Sequence, residues 1–162
     1  ADNASTSVTV IDVASGSVLT SIPVGGISSA VAVRPTGETA YVVLPDLAVV
    51  AIIDLASGTS TRSIGIGGTP QSVAFSPDGT VAYVTDNGSP FVTVIDVANE
   101  TVTANINVGG ASQGVAFTPN GLFAFVAVFG SNTVAVIDVT GGVVFSVVGG
   151  GGGGLGGGIK PG

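Results

Sequence analysis

Short apolar segments alternate with polar ones along this chain, and punctuating glycines, prolines and aspartates separate them. Val92-Thr93-Val94-Ile95-Asp96 shows the period-2 rhythm of a half-buried strand, while Leu47 to Ile53 and Leu122 to Phe129 are continuous apolar runs of strand length. No window of ten or more residues carries a helical period. The segments also recur. Val10-Ile11-Asp12-Val13 returns as Ile53-Asp54-Leu55, Ile95-Asp96-Val97 and Ile137-Asp138-Val139, with the four aspartates 42 residues apart. Gly25-Gly26, Gly67-Gly68 and Gly109-Gly110 keep the same register. So do Pro35-Thr36-Gly37, Pro77-Asp78-Gly79 and Pro119-Asn120-Gly121, and then Ala40-Tyr41-Val42, Ala82-Tyr83-Val84 and Ala124-Phe125-Val126.

Each unit resolves into four strands. The first (Ala30 to Val33, Ser72 to Phe75, Gly114 to Phe117) passes through the Pro-x-Gly turn into the Ala-Tyr-Val strand. The third is the alternating one, and the fourth runs over Thr101 to Val108 in its clearest copy. Four antiparallel strands repeated every 40–45 residues or so make the blade of a β-propeller. The predicted class is therefore all-β: a propeller of four-stranded blades, with about three and a half of them in this chain. The divisions fall at a half blade over 1–26, with strands at about 7–13 and 17–24, and at blades over 27–68, 69–110 and 111–148. The tail, 149–162, is mostly glycine. It reads as a flexible linker or, because Ile159 and Pro161 keep the 42-residue register, as a degenerate start of another strand.

At these residues the repeat resembles the YVTN β-propeller repeat. Tyr83-Val84-Thr85-Asp86 and Val73-Ala74-Phe75-Ser76-Pro77-Asp78-Gly79 carry the likeness, which extends over residues 1 to about 148. Val43-Leu44 and Ala127-Val128 depart from it where that family has Thr-Asn. The resemblance implies a propeller fold and a secreted or cell-surface location, including microbial surface layers. It implies no shared catalytic residue.

Composition narrows the chemistry. Of 162 residues 45% are hydrophobic and only 8% charged, so the chain is too apolar to be disordered. No uninterrupted apolar run reaches 18 residues, so no membrane-spanning helix is expected. Net charge is −7, and Arg34, Arg62 and Lys160 are the only basic residues. Nucleic acid and anionic membranes are poor partners for so few, scattered cations. There is no Cys, His, Met or Trp, which removes the Ser-His-Asp triad, thiol chemistry and ordinary zinc sites. Gly65-Ile66-Gly67-Gly68 opens like a dinucleotide fingerprint, but Pro70 and the lack of a following helix rule that reading out.

The repeated acids Asp12, Asp54, Asp96 and Asp138 are expected to be turn caps, each accepting hydrogen bonds from the backbone of the turn that follows it. Asp2, Asp46 and Asp86 fall on equivalent loops, where a hard cation such as calcium could bind, although one acid per loop is a low charge density. Asn3, Asn87 and Asn99 begin glycosylation sequons. No cofactor is expected. The leading expectation is a non-catalytic, extracellular structural module that self-associates as a building block of a surface layer or fibre. Other copies of itself, or adjoining repeats, would complete the first blade. The alternative is a segment of a larger closed propeller that binds a protein or glycan through its loop face.

Overall fold

The structure, a computed structural model, describes residues 6–149, and these form an all-β propeller arc of antiparallel sheets without a helix. Strands β1 (Ser7–Ile11) and β2 (Val18–Pro23) pair as a two-stranded sheet. Strands β3 (Ala30–Val33), β4 (Thr39–Leu44), β5 (Val49–Asp54) and β6 (Thr59–Gly65) form the second sheet. The third contains β7 (Pro70–Phe75), β8 (Val81–Asp86), β9 (Phe91–Asp96) and β10 (Thr101–Asn107). The fourth contains β11 (Ser112–Phe117), β12 (Phe123–Val128), β13 (Thr133–Asp138) and β14 (Val143–Gly149). In every sheet spatial order follows chain order, so each is a simple meander. The first strands of the third and fourth sheets start earlier than their apolar patterns indicate, at Pro70 and Ser112. The Gly-rich tail beyond Gly149 lies outside the described residues.

The Pro-x-Gly turns close as their residues dictate. The Gly37, Gly79 and Gly121 amides donate to Arg34, Ser76 and Thr118 carbonyls at 2.8, 2.8 and 2.9 Å, with each glycine at positive φ. A second recurring feature carries no mark in the composition. Between the third and fourth strands the register slips by one residue at Leu19, Thr61, Thr103 and Phe145, one repeat apart each time. This bulge adds twist to the outer edge of each blade.

The apolar faces pack sheet on sheet in three layers. Ile22 and Val24 cover Ala40, Val42 and Ile53; Tyr41, Val43, Val50 and Ile52 meet Val73, Ala82, Val84 and Ile95; Tyr83, Val92, Val94 and Ile106 meet Ala124, Val126 and Ile137. At the inner strands, polar groups bridge neighbouring sheets. Ser29 Oγ donates to the Gln71 carbonyl at 2.9 Å and Thr85 Oγ1 to the Gln113 carbonyl at 3.2 Å. The outer strand β6 is polar and almost wholly exposed, which suits an unpaired sheet edge.

Candidate functional site

Meander topology sorts the loops onto two faces. One carries the connections between second and third strands together with the Gly-Gly connections between blades, and Asp46 and Asp86 lie there. Asp86 is 6% exposed; its Oδ1 accepts from the Gly88 amide at 2.7 Å, the Thr69 amide at 3.1 Å and the Thr69 hydroxyl at 3.2 Å. Its own amide donates to Ser112 Oγ at 3.2 Å, tying the loop to the next blade. Asp46 accepts from the Ile27 amide at 3.2 Å. Both carboxylates press on the second glycine of a Gly-Gly pair. A Cβ at Gly26 would sit 2.9 Å from Asp46 Oδ1, and one at Gly68 would collide with Asp86 Oδ2. These acids fasten loops, and they come from different blades. Among the described residues no three metal-binding side chains gather. Asp2 and Asn3 lie outside the described residues, and Asn87 is exposed on this face.

The opposite face carries Asp12, Asp54, Asp96 and Asp138, each bonded within its own turn. Their Oδ1 atoms accept from the amides of Ser15 at 2.6 Å, Ser57 at 2.7 Å, Asn99 at 2.9 Å and Thr140 at 2.7 Å. These bonds favour the ionised form and hold all four carboxyls below the ordinary range. The largest cause is the side-chain hydroxyl of Ser15 for Asp12 and of Thr140 for Asp138; it is the backbone amide of Ser57 for Asp54 and of Asn99 for Asp96. The exposed Asn99 spends its amide on Asp96 Oδ2 at 3.0 Å. The four acids stand in four turns and do not converge on one site.

The wedges between blades hold chemistry that pattern reading passed over. Tyr41 stacks tilted on Phe75 with centroids 4.7 Å apart, and Tyr83 on Phe117 at 4.8 Å. Burial pushes the Tyr41 phenol up to about 12, and its hydroxyl has no hydrogen-bond partner. Tyr83 is also raised, by burial first and by the charge of Asp138 second. Between the same two sheets Arg62 Nη2 pairs with Glu100 Oε1 at 2.7 Å, with the arginine side chain largely in solvent. Above Tyr83 lies an open groove of about 550 Å³. The register of Tyr41, Tyr83 and Phe125 was visible in the sequence; the Arg62–Glu100 pair, made once and across two repeats, was not.

The two outer flanks are the last feature. Phe125 occupies the position of Tyr41 and Tyr83 but is 44% exposed, and Val134, equivalent to the fully buried Val50 and Val92, is 38% exposed. At the other end Val31 and Val33 are 41% and 56% exposed where their equivalents Val73 and Phe75 are covered. Among the described residues the first flank has no sheet over it, and the second is covered only in part, by the two-stranded sheet.

No protein-family model matches this chain, and no curated protein matches it. Among solved structures it is similar to Kuenenia stuttgartiensis hydrazine synthase, with a TM-score of 0.83 and 26% identity over 90% of this chain and 44% of that one. It is also similar to the dihydro-heme d1 dehydrogenase NirN in complex with DHE, with a TM-score of 0.70 and 20% identity over 86% of this chain and 32% of that one. This chain thus spans less than half the length of either. Both neighbours have propeller folds, in agreement with the all-β class read from the repeat. Both are enzymes, and this overturns the expectation of a non-catalytic structural module and with it the assignment as a non-enzyme. The physical reason is that a fold does not fix function, so the side chains this chain lacks do not exclude chemistry in a protein of this fold.

Proposed function

We propose that this chain is a segment of a larger closed β-propeller belonging to an enzyme, with the reacting groups held outside the segment. The observation that carries the proposal is the exposure of blade-packing residues on both flanks, read together with the likeness to hydrazine synthase. Phe125 and Val134 on one flank and Val31 and Val33 on the other are residues that the inner blades bury. Further blades of the same kind would cover them, and closed rings hold about four to eight blades. The segment's own part is to build wall and loop face. Without His, Cys or Met it has no conventional soft-metal ligand to offer. We read the repeat as YVTN-type on the strength of Tyr83-Val84-Thr85-Asp86 and Val73 to Gly79, and that reading favours a secreted or cell-surface setting.

The test is to isolate the intact native protein and determine its full sequence, metal content, bound small molecules and absorbance spectrum. The expected result is a propeller of more blades than these, joined to residues or a bound group capable of catalysis. An intact protein made only of this repeat, with no bound group and no further reactive side chains, would overturn the proposal.

A further inference from the structure

Two asparagines in this chain are followed by glycine, Asn87 and Asn120, and every other asparagine precedes a residue with a side chain. The carbonyl carbon of an asparagine side chain is open to attack by the backbone nitrogen of the next residue. Glycine allows this most readily, because no Cβ crowds the nitrogen and the backbone turns freely. Both asparagines are exposed, so access to solvent does not separate them.

Hydrogen bonds do. Asn120 stands in the Pro-x-Gly turn between β11 and β12. Its Oδ1 accepts from Thr118 Oγ1 at 2.7 Å and from the Leu122 amide at 3.1 Å, and the Gly121 amide donates to the Thr118 carbonyl at 2.9 Å. The equivalent Asp78 accepts in the same pattern from Ser76 and Thr80, so this side chain is part of the turn. Asn87 lies in the bend between β8 and β9. Among the described residues its side-chain amide makes no hydrogen bond. The Gly88 amide donates to Asp86 Oδ1 at 2.7 Å. That one bond must open before the nitrogen can turn on Asn87, whereas cyclisation at Asn120 has to break three.

We propose that Asn87 is a site of spontaneous modification, at which the Gly88 nitrogen displaces the side-chain amide and leaves aspartate or isoaspartate in the loop. The Gly88 N–H gives its proton to a solvent base and the nitrogen bonds to Asn87 Cγ. The Cγ–Nδ2 bond breaks, and the departing nitrogen takes a proton from solvent and leaves as ammonia. Water then opens the cyclic imide at either carbonyl. One opening restores the ordinary backbone, and the other routes the chain through Cβ and Cγ. The sum is one water consumed and one ammonia released, with no oxidant or cofactor. Either product sets a second carboxylate next to Asp86. Asp86 clasps this loop through Thr69 and is tied to the fourth sheet through its own amide and Ser112, so the modification loosens the joint between the third and fourth sheets. The inference does not rest on the enzyme reading.

The test incubates unglycosylated recombinant chain at mildly alkaline pH, both folded and in denaturant. Peptide mass mapping, with aspartate and isoaspartate separated by chromatography, follows each asparagine. In denaturant Asn87 and Asn120 should convert at similar rates, since glycine follows both. In the folded chain Asn120 should be slower than Asn87 by about tenfold or more, the effect of two further hydrogen bonds that have to open. Ammonia release from the folded chain should fall to the background of the other asparagines in Asn87→Gln, whose longer side chain must close a larger and slower ring. Folded rates that are equal or favour Asn120, or ammonia release unchanged in Asn87→Gln, would refute the proposal. So would an Asn87 that stays intact in the folded chain for many times the period in which the denatured chain converts.

Discussion

At the scale of single residues, Glu100 shows how a local penalty and a long-range contact trade against each other. It has φ of +54° in a turn where the other blades place Gly16, Gly58 and Gly142, at +68°, +66° and +64°. A left-handed conformation disfavours any residue with a Cβ, by about 1–2 kcal/mol. Glu100 sits there with its carboxylate 2.7 Å from Arg62, a pair that is mostly solvent-exposed on the arginine side and so contributes up to about 1 kcal/mol. Glu100→Gly removes both effects and should leave stability nearly unchanged. Glu100→Ala keeps the strain and loses the pair, so it should be less stable than the glycine variant by about 1 kcal/mol in denaturant unfolding. Tyr41 gives a pH signature of its own. Its folded pKa, about 12, lies above the ordinary phenol value of about 10. The folded chain holds a proton that the unfolded chain releases, so its contribution is intact below pH 10 or so and fades as the pH rises towards 12. Ultraviolet titration should show both tyrosines ionising above the ordinary phenol range and coupled to unfolding, and Tyr41→Phe should delay alkaline unfolding.

At the scale of elements, strands and turns were legible because each is specified locally. Alternating Val and Ile mark the third strands, and Pro-x-Gly marks the hairpin turns. The bulges were not legible, because Leu19, Thr61, Thr103 and Phe145 share no side-chain chemistry that would mark them. Nor was the Arg62–Glu100 pair, which depends on two sheets meeting. The Gly-Gly pairs were seen only as markers, and the structure separates their two members. A Cβ at Gly67 meets nothing within 4 Å, whereas one at Gly68 strikes Asp86. Gly67→Ala should therefore cost only its backbone strain, about 1 kcal/mol. Gly68→Ala must also displace a buried carboxylate from Thr69 and Gly88, and should cost at least about 3 kcal/mol. Thermal unfolding of the two variants side by side tests this, and equal losses would mean that Asp86 moves freely.

For the whole molecule, the question is whether the outer flanks are finished surfaces or interfaces waiting for a neighbour, and equivalent positions allow a direct answer. Tyr83 and Phe125 occupy the same place in successive blades, but Tyr83 is 2% exposed against Phe117 and Phe125 is 44% exposed. In this segment Tyr83→Ala should cost about 3–4 kcal/mol, as for a buried aromatic, and Phe125→Ala under about 1 kcal/mol. Function was barely legible in the sequence for a related reason: the blade repeats describe how the wall is built, while the likeness to enzymes lies in the fold. If a further blade covers Phe125 in the intact protein, its truncation there becomes as damaging as that of Tyr83, because both rings are then removed from a packed interface. If Phe125→Ala remains near-neutral in the intact protein, the fourth sheet is a free edge and the ring is not closed across it. Unfolding of both variants in the segment and in the intact protein measures the difference, and the change at position 125 between the two settings is the energy of the missing neighbour.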